Sequence, residues 1–448
     1  MEKLSYLKQI KKVHFIGVGG ISMSALAKWC LAKNILVSGS DKSCSSLTCA
    51  LENLGAKIYI GHNKKNIEKD VSLVVYTSAI DSQNQEFKKA LKMKVKMLKR
   101  SEFLSLILRC YKNSIAVSGS HGKTTCSSML THILHTAKLS PTAFIGGIDK
   151  TYSNFLNGKK DYLVVEACEY KKNFLDLSPK CAVVLNIDND HMDSYKNEHN
   201  MICAFEHFIA NKLAFINNDC NKCKTLVCKN KITFGLNRGA TYRAKYIKKN
   251  ERGYSFTVYK NKVKLGRINL SVYGKHNIYN ALASLSVAYH FNVDFEIIKK
   301  SLQDFSLAEW RGEYLGKISN LLTYADYAHH PSEITATLKA FNLTENDIIV
   351  FQPNTYSRTE NLLESFKLSL KVAKNLIIYK TYSAREKYNY LGSAKRLFLE
   401  IQKENNGVLY AKNIKELKRA ILQMIKDKKR IIFLGAGDIY DIAKNLLN

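Results

Sequence analysis

Ser114-Ile115-Ala116-Val117-Ser118-Gly119-Ser120-His121-Gly122-Lys123-Thr124-Thr125 is the stretch on which the reading of this chain turns. Ser114–Val117 reads as a buried strand, and a helix is expected from Thr124. Between them, Gly119 and Gly122 let backbone N–H groups curl around phosphate oxygens, and the helix N-terminus adds a positive field. Lys123 supplies a point charge for the β- and γ-phosphates, and the Thr124 hydroxyl suits Mg²⁺. Val117 occupies the first glycine position of the general pattern G-x-x-x-x-G-K-[ST], so that pattern fails. The strand–loop–helix context still points to a nucleotide triphosphate, with Gly119, Ser120, His121, Gly122, Lys123, Thr124 and Thr125 as the ATP-binding loop.

Working outward, short strands alternate with helical patterns on both sides. Strands are expected at Val13–Ile16, Ile35–Gly39, Lys57–Ile60 and Leu73–Tyr76, with helices at Ser24–Leu31, Leu47–Leu54 and Glu102–Cys110. Beyond the phosphate loop come strands at Tyr162–Val165 and Ala182–Leu185. The stretch from Leu226 to Leu270 reads as a small antiparallel flap, followed by helices at Asn277–Tyr289 and Phe295–Leu302. A third series has strands at Leu321–Tyr324, Ile348–Phe351, Leu376–Tyr379 and Ile431–Leu434. Strands separated by helices imply parallel α/β sheets. The expected architecture is α/β, with three domains in series at 1–110, 111–310 and 311–448: Rossmann-like, P-loop ATPase-like with the flap, and Rossmann-like.

Composition bounds the partners. A hydrophobic fraction of 46% over 448 residues fits several packed cores. No apolar run is long enough to span a membrane. The lysines Lys3, Lys8, Lys11 and Lys12 are not followed by the apolar segment of a signal peptide, so a cytoplasmic protein is expected. The formal net charge of +31 raises nucleic acid as a partner, but only 12 of the 69 basic residues are arginine and the lysines are spread throughout. No recognition motif accompanies them, so no nucleic-acid partner is expected. Eleven cysteines are scattered; Cys220 and Cys223 form one C-x-x-C without a second pair at zinc-ribbon distance, which favours free thiols.

Other clusters sit at strand ends. Gly17-Val18-Gly19-Gly20-Ile21-Ser22-Met23 follows a strand and opens a helix, with Asp41 ending the next strand where an acid could hold a ribose. On these residues alone an NAD site and a nucleotide-sugar site are equally good readings, and a plain tight turn is the third. Glu166 ends a strand, and Asn186-Ile187-Asp188-Asn189-Asp190-His191 follows another, which makes Glu166 and His191 candidate metal ligands beside ATP. Further polar clusters are Gly274–Ala281, Tyr324–Glu333 and Gln352–Thr359.

Taken in order, these motifs resemble the Mur ligases of bacterial cell-wall synthesis over nearly the whole chain. The resemblance runs from His14–Gly20, Ser38–Asp41 and Ser78-Ala79-Ile80 through the phosphate loop and Glu166–Tyr170. It continues in Asn186–Asp188, Asp190-His191, His276-Asn277, Asn280-Ala281 and Asp326–Pro331. Phe351-Gln352-Pro353, Ala384-Arg385-Glu386 and Leu434–Ile439 complete it. It implies an ATP-dependent ligase that joins L-alanine to the lactyl carboxylate of UDP-N-acetylmuramate through an acyl phosphate, as a monomer or weak homodimer. Gly17, Gly19, Gly20, Ile21, Ser22, Met23, Asp41 and Ser78 would hold the UDP-sugar rather than NAD, and Asn277 and Asn280 would lie near adenine. Lys123 would neutralise charge, Thr124 and Glu166 would hold one Mg²⁺, and His191 a second. His121 would approach the reacting carboxylate, with His330 and Arg358 serving the intermediate and the amino acid. Where such ligases read F-x-G-x-x-R-R-F-E, this chain has Phe305-Ser306-Leu307-Ala308-Glu309-Trp310-Arg311-Gly312-Glu313. Asn354 stands for a usual histidine, and Lys171-Lys172 for a more acidic or polar pair. The nearest rival, in the same family, is a recycling ligase that attaches a whole peptide.

Overall fold

The computed structural model describes residues 7, 9–188, 192–250, 253–272, 274–307, 309–384 and 386–447. Asn189, Asp190, His191, Ala308 and Arg385 lie outside them, and so does the metal-ligand expectation for His191. Among the described residues, three sheets carry the fold. The first holds β1 (Lys12–Ile16), β2 (Leu36–Asp41), β3 (Lys57–Ile60), β4 (Leu73–Tyr76) and β5 (Lys96–Lys99) in the order β3-β2-β1-β4-β5, all parallel. Its strand order reverses between β1 and β4, and such a switch point opens a crevice at the carboxyl ends of the strands. Helix α1 (Ile21–Ala32) leaves β1 there and buries Met23, Leu26 and Trp29.

The second sheet adds β6 (Asn113–Ser118), β7 (Thr142–Asp149), β8 (Ser153–Leu156), β9 (Tyr162–Glu166), β10 (Cys181–Val184), β11 (Leu213–Asn217) and β12 (Asn230–Gly235). It ends with β13 (Tyr242–Asn250), β14 (Gly253–Lys260) and β15 (Val263–Leu270), in the order β15-β14-β13-β12-β11-β10-β6-β9-β7-β8. The antiparallel stretch expected as a flap on the central domain is present as β13–β15, continuous with the central sheet. β13 pairs in parallel with β12, and β14 and β15 extend the same sheet as a meander. The central strand β6 is apolar on both faces, with Ile115, Ala116 and Val117 fully buried between β9 and β10. That two-sided burial matches a sheet covered by helices. Helix α2 (Lys123–Thr136) follows β6, and α3 (His276–His290) packs Ile278, Leu282 and Leu285 into the same core.

The third sheet has β16 (Glu313–Ile318), β17 (Leu321–Asp326), β18 (Asp347–Phe351), β19 (Asn375–Tyr379), β20 (Val408–Ala411) and β21 (Arg430–Leu434), in the order β16-β17-β21-β18-β19-β20. Only β16 runs antiparallel to its neighbour. The first two sheets belong to one compact unit, and the third belongs to a second unit that runs from Glu309 onward and also takes in residues 274–276. No helix among the described residues is long and apolar enough to cross a membrane.

Candidate active site

Three loops converge where β6 is flanked by β9 and β10. The loop after β6 needs its glycines: Gly119 has φ +135° and Gly122 φ +84°. A Cβ on Gly122 would stand 2.6 Å from Asn280 Oδ1, and one on Gly119 would stand 3.1 Å from the Asn186 backbone. Asn186 clasps the loop, accepting from the His121 N–H at 2.8 Å and donating to the His121 carbonyl at 3.0 Å. The His121 ring turns its Nε2 to Asp188 Oδ2 at 3.3 Å. Ser120 is buried and its hydroxyl accepts from the Asp188 N–H at 2.9 Å; Thr125 is buried in the first turn of α2.

Lys123 donates to the carbonyls of Gly119 and Ser120 at 2.6 and 3.1 Å and pairs with Glu169 at 3.0 Å. Burial is the largest influence and works against its charge, but Glu169, Cys168 and Glu166 together outweigh it and hold the ammonium above its ordinary pKa. Thr124 donates its hydroxyl to Glu166 Oε2 at 3.3 Å. Glu166 also accepts from the Gly146 N–H at 2.6 Å and from Ser127 at 3.2 Å. Burial raises the Glu166 pKa, and these bonds together with Lys123 only partly oppose it. Hydroxyl and carboxylate oxygens are the hard donors that Mg²⁺ takes, so Thr124 and Glu166 suit that ion. Asn277 and Asn280 are buried on α3, joined at 2.9 Å, with Asn280 directly behind Gly122.

In the first sheet, Gly17 has φ +86°, and the Gly17 and Val18 amides both donate to the Ser40 carbonyl. The Gly19 N–H donates to Asp41 Oδ2 at 2.8 Å, which ties the acid to the glycine loop. Gly20 and Ser78 are exposed, and Ile21 is half-buried. Ser22 accepts from Arg100 at 3.0 Å. Met23 lies 2% exposed in the core, so its side chain is structural. Helix α1 is clamped to the second sheet by buried Asn154, which donates to the Ile21 carbonyl and Ser24 hydroxyl and accepts from Lys28.

In the C-terminal unit, loops after β17, β18 and β21 meet because β21 lies between the other two strands. His330 caps helix α4 (Pro331–Ala340): its Nδ1 accepts from the Ser332 N–H, and Glu333 returns the contact to the His330 N–H. Arg358 donates to the Asn354 carbonyl at 2.7 Å and to the Asn354 side chain at 3.3 Å. Asp326, at the end of β17, is bonded by the Ala328 N–H and Thr337, while burial raises its pKa.

Residues 12–112 match the Mur ligase family catalytic domain, 117–288 the Mur ligase middle domain, and 310–437 the Mur ligase glutamate ligase domain. The UDP-N-acetylmuramate–L-alanine ligase of Clostridium tetani is 42% identical over 97% of both chains. The chain belongs to the Mur ligase family. Members are ATP-dependent amide-bond-forming ligases, and this chain is one of them. The corresponding enzyme of Caldanaerobacter subterraneus is 40% identical over 98% of each chain. The solved UDP-N-acetylmuramate–alanine ligase of Thermotoga maritima has a TM-score of 0.84 at 26% identity, covering 97% of this chain and 98% of its own. A murein peptide ligase from Psychrobacter arcticus shares the fold, with a TM-score of 0.75 at 22% identity over 98% of both chains.

As a Mur ligase the chain shows residues that motif reading passed over. Glu169, 2% exposed, is the carboxylate paired with Lys123. Asn186 and Asp188 brace the phosphate loop. Gly146 leaves room for Glu166, because a Cβ there would stand 2.2 Å from Glu166 Oε2. The Glu166–Tyr170 and Asn186–Asp188 segments carried Glu169, Asn186 and Asp188 in the sequence, but only folding shows which of their side chains turn to the loop; Gly146 lay in no motif. Among the departures, Trp310 packs its ring 4.5 Å from Tyr440 and 5.4 Å from Tyr327, and Arg311 lies over Tyr327. Aromatic packing thus occupies a position where an arginine is usual. The cysteines are free, and none belongs to a cluster of three metal-binding side chains among the described residues.

Proposed function

We propose that this ligase joins L-alanine to the lactyl carboxylate of UDP-N-acetylmuramate, releasing ADP and phosphate, in the cytoplasm. The observation that carries the reading is the phosphate loop with Lys123, Thr124 and Glu166 gathered on it, in a chain about 40% identical to ligases of that name along its length. A carboxylate does not condense with an amine in water, so it must be activated. The lactyl carboxylate attacks the γ-phosphate to give an acyl phosphate and ADP; the alanine amine then attacks the acyl carbon, and phosphate leaves. Positioning and charge stabilisation dominate such a transfer.

Lys123 offsets charge on the transferred phosphoryl group. Thr124 and Glu166 would hold Mg²⁺, which when bound supplies further neutralisation of phosphate charge. A second ion is assigned to His191. His121 serves the reacting carboxylate. Asn277 and Asn280 serve the adenine side. The loop Gly17–Met23, with Asp41 and Ser78, takes the UDP-sugar. His330 and Arg358 serve the amine step. Domain bounds of 1–110, 111–310 and 311–448 and a monomer or weak homodimer complete the proposal.

ADP release with UDP-N-acetylmuramate tests it, comparing L-alanine with a tripeptide that begins with L-alanine. Turnover with L-alanine alone supports the reading. Preference for the peptide assigns the chain to recycling instead. Salt-sensitive DNA binding without turnover would remove the ligase reading altogether.

A further inference from the structure

The segment after β11 holds a pair of thiols that the ligase reaction does not use. Cys220 is the N-cap of the short helix Asn221–Thr225, and Cys223 is its third residue. Side chains three residues apart on a helical turn are neighbours. The turn is closed by the Lys224 N–H, which donates to the Cys220 carbonyl at 3.0 Å. Cys223 is fully buried and Cys220 half-buried, so Cys220 is the more open of the two. The Cys223 S–H donates to the Cys220 sulfur, and that bond, against burial, holds the Cys220 thiol down at about 6. The same contact and burial push Cys223 up. A thiolate on the open side with a protonated thiol behind it matches the roles of attacking and resolving cysteine.

A metal is the other use of such a pair, and it wants four ligands. Cys228, the third cysteine of the segment, turns its thiol to the carbonyls of Ile209 and Lys212 instead. With no cluster of three ligands around Cys220 and Cys223 among the described residues, a disulfide is the chemistry left to them.

Their position gives that bond a consequence. Both sulfurs lie against the backbone of Ile187. Its chain neighbours are Asn186, which clasps His121, and Asp188, which bonds Ser120 and His121. From the same segment Asn217 donates to the Leu185 carbonyl at 2.8 Å, and Asp219 accepts from Tyr279 of α3 at 3.1 Å. Bonded sulfurs stand only about 2.05 Å apart, well inside thiol contact, with a dihedral near a right angle. Cys223 is packed in the core, so Cys220 makes the move and shifts its contact with Ile187.

We propose that Cys220 and Cys223 are a site of reversible oxidation by hydroperoxides, and that their disulfide displaces the Ile187 brace and weakens ATP binding at the phosphate loop. The Cys220 thiolate attacks the peroxide, breaking its O–O bond and leaving a sulfenic acid and hydroxide, which takes a proton from solvent. Cys223 then attacks the Cys220 sulfur. The S–S bond forms, the S–O bond breaks, and water leaves with the Cys223 proton. With hydrogen peroxide, two thiols and one peroxide give one disulfide and two waters. Exchange with a small dithiol restores the thiols. The effect on ATP rests on the phosphate-loop reading above; the bond itself does not.

Treatment of the reduced full chain with hydrogen peroxide tests this, with peptide mapping by mass spectrometry and calorimetry with ATP. The peptides that carry Cys220 and Cys223 should be found linked. Kd for ATP should rise about fivefold or more, as a modest coupling between sites gives, and return after dithiothreitol. Cys220→Ser should bind ATP within about twofold of the reduced wild type and lose the response to peroxide. Cys44 and Cys49, exposed and with sulfurs 3.4 Å apart, are the competing pair, and their double serine variant should keep the response. Mapping and calorimetry on the wild-type protein decide the question if Cys220→Ser does not fold. No link between Cys220 and Cys223, a linked protein with unchanged Kd for ATP, or a response lost with Cys44 and Cys49 overturns the proposal. Normal ATP binding by Lys123→Ala would instead overturn the phosphate-loop reading and leave the mapped bond standing.

Discussion

The Lys123 ammonium stands 3.0 Å from the buried Glu169 carboxylate while donating to two carbonyls of its own loop. The pair has two consequences. It raises the lysine's pKa against the opposing effect of burial, and it anchors the segment after β9 to the phosphate loop.

Lys123→Ala should abolish ADP release and also destabilise the protein, because it removes the cation beside a buried acid. Breaking a buried pair from one side costs roughly 3–5 kcal/mol, and the partly exposed lysine places this one at about 3 kcal/mol. Urea unfolding of the variant checks the second part. An unchanged midpoint would show that other contacts satisfy Glu169 without its lysine.

Gly146→Ala should act on Glu166 alone. The new methyl would stand 2.2 Å from Glu166 Oε2, and the carboxylate must turn away from Thr124. We expect the Mg²⁺ concentration needed for half-maximal ADP release to rise about tenfold or more, with the far-ultraviolet circular dichroism retained. A normal Mg²⁺ requirement would remove Glu166 from the metal site.

Glu166→Gln should separate stability from activity. Burial raises the Glu166 pKa, so between the ordinary carboxylate value and the raised one the folded state binds more protons than the unfolded state. Stability contributed by this group therefore falls as pH rises through that window and stays lower above it. The neutral glutamine escapes that loss, so the variant should melt higher than wild type at pH 7 while losing turnover. In the wild-type protein ADP release should decline as pH falls towards the raised value. A variant that melts lower at neutral pH would contradict this.

Several elements legible in sequence are apolar runs buried on both faces. Ile115–Val117 in β6, Leu73–Val75 in β4 and Ile348–Phe351 in β18 are fully buried and stand out from their surroundings. β5 and the β7–β8 pair lack that contrast. β5 is Lys-Met-Leu-Lys, with both lysines exposed, and the pair β7–β8 carries Gly146-Gly147 and a turn in place of a hydrophobic block. The candidate loop stood out in sequence because glycine, lysine and threonine have few other uses in that order at a strand–helix junction. Glu169, Asn186 and Gly146 were not, because their roles depend on three loops converging from strands adjacent in space. Trp310 was legible only as a departure; its packing on Tyr327 and Tyr440 exists only once β17 and the last helix are placed beside it.

The central claim is that ATP activates the sugar-nucleotide carboxylate before the amine attacks. UDP-N-acetylmuramate labelled with ¹⁸O in both lactyl carboxylate oxygens tests this most directly, by mass spectrometry of the phosphate released with ATP and L-alanine. One ¹⁸O should appear in each phosphate, carried over when the acyl phosphate is broken by the amine. Phosphate without label, with its new oxygen drawn from water, would contradict the account.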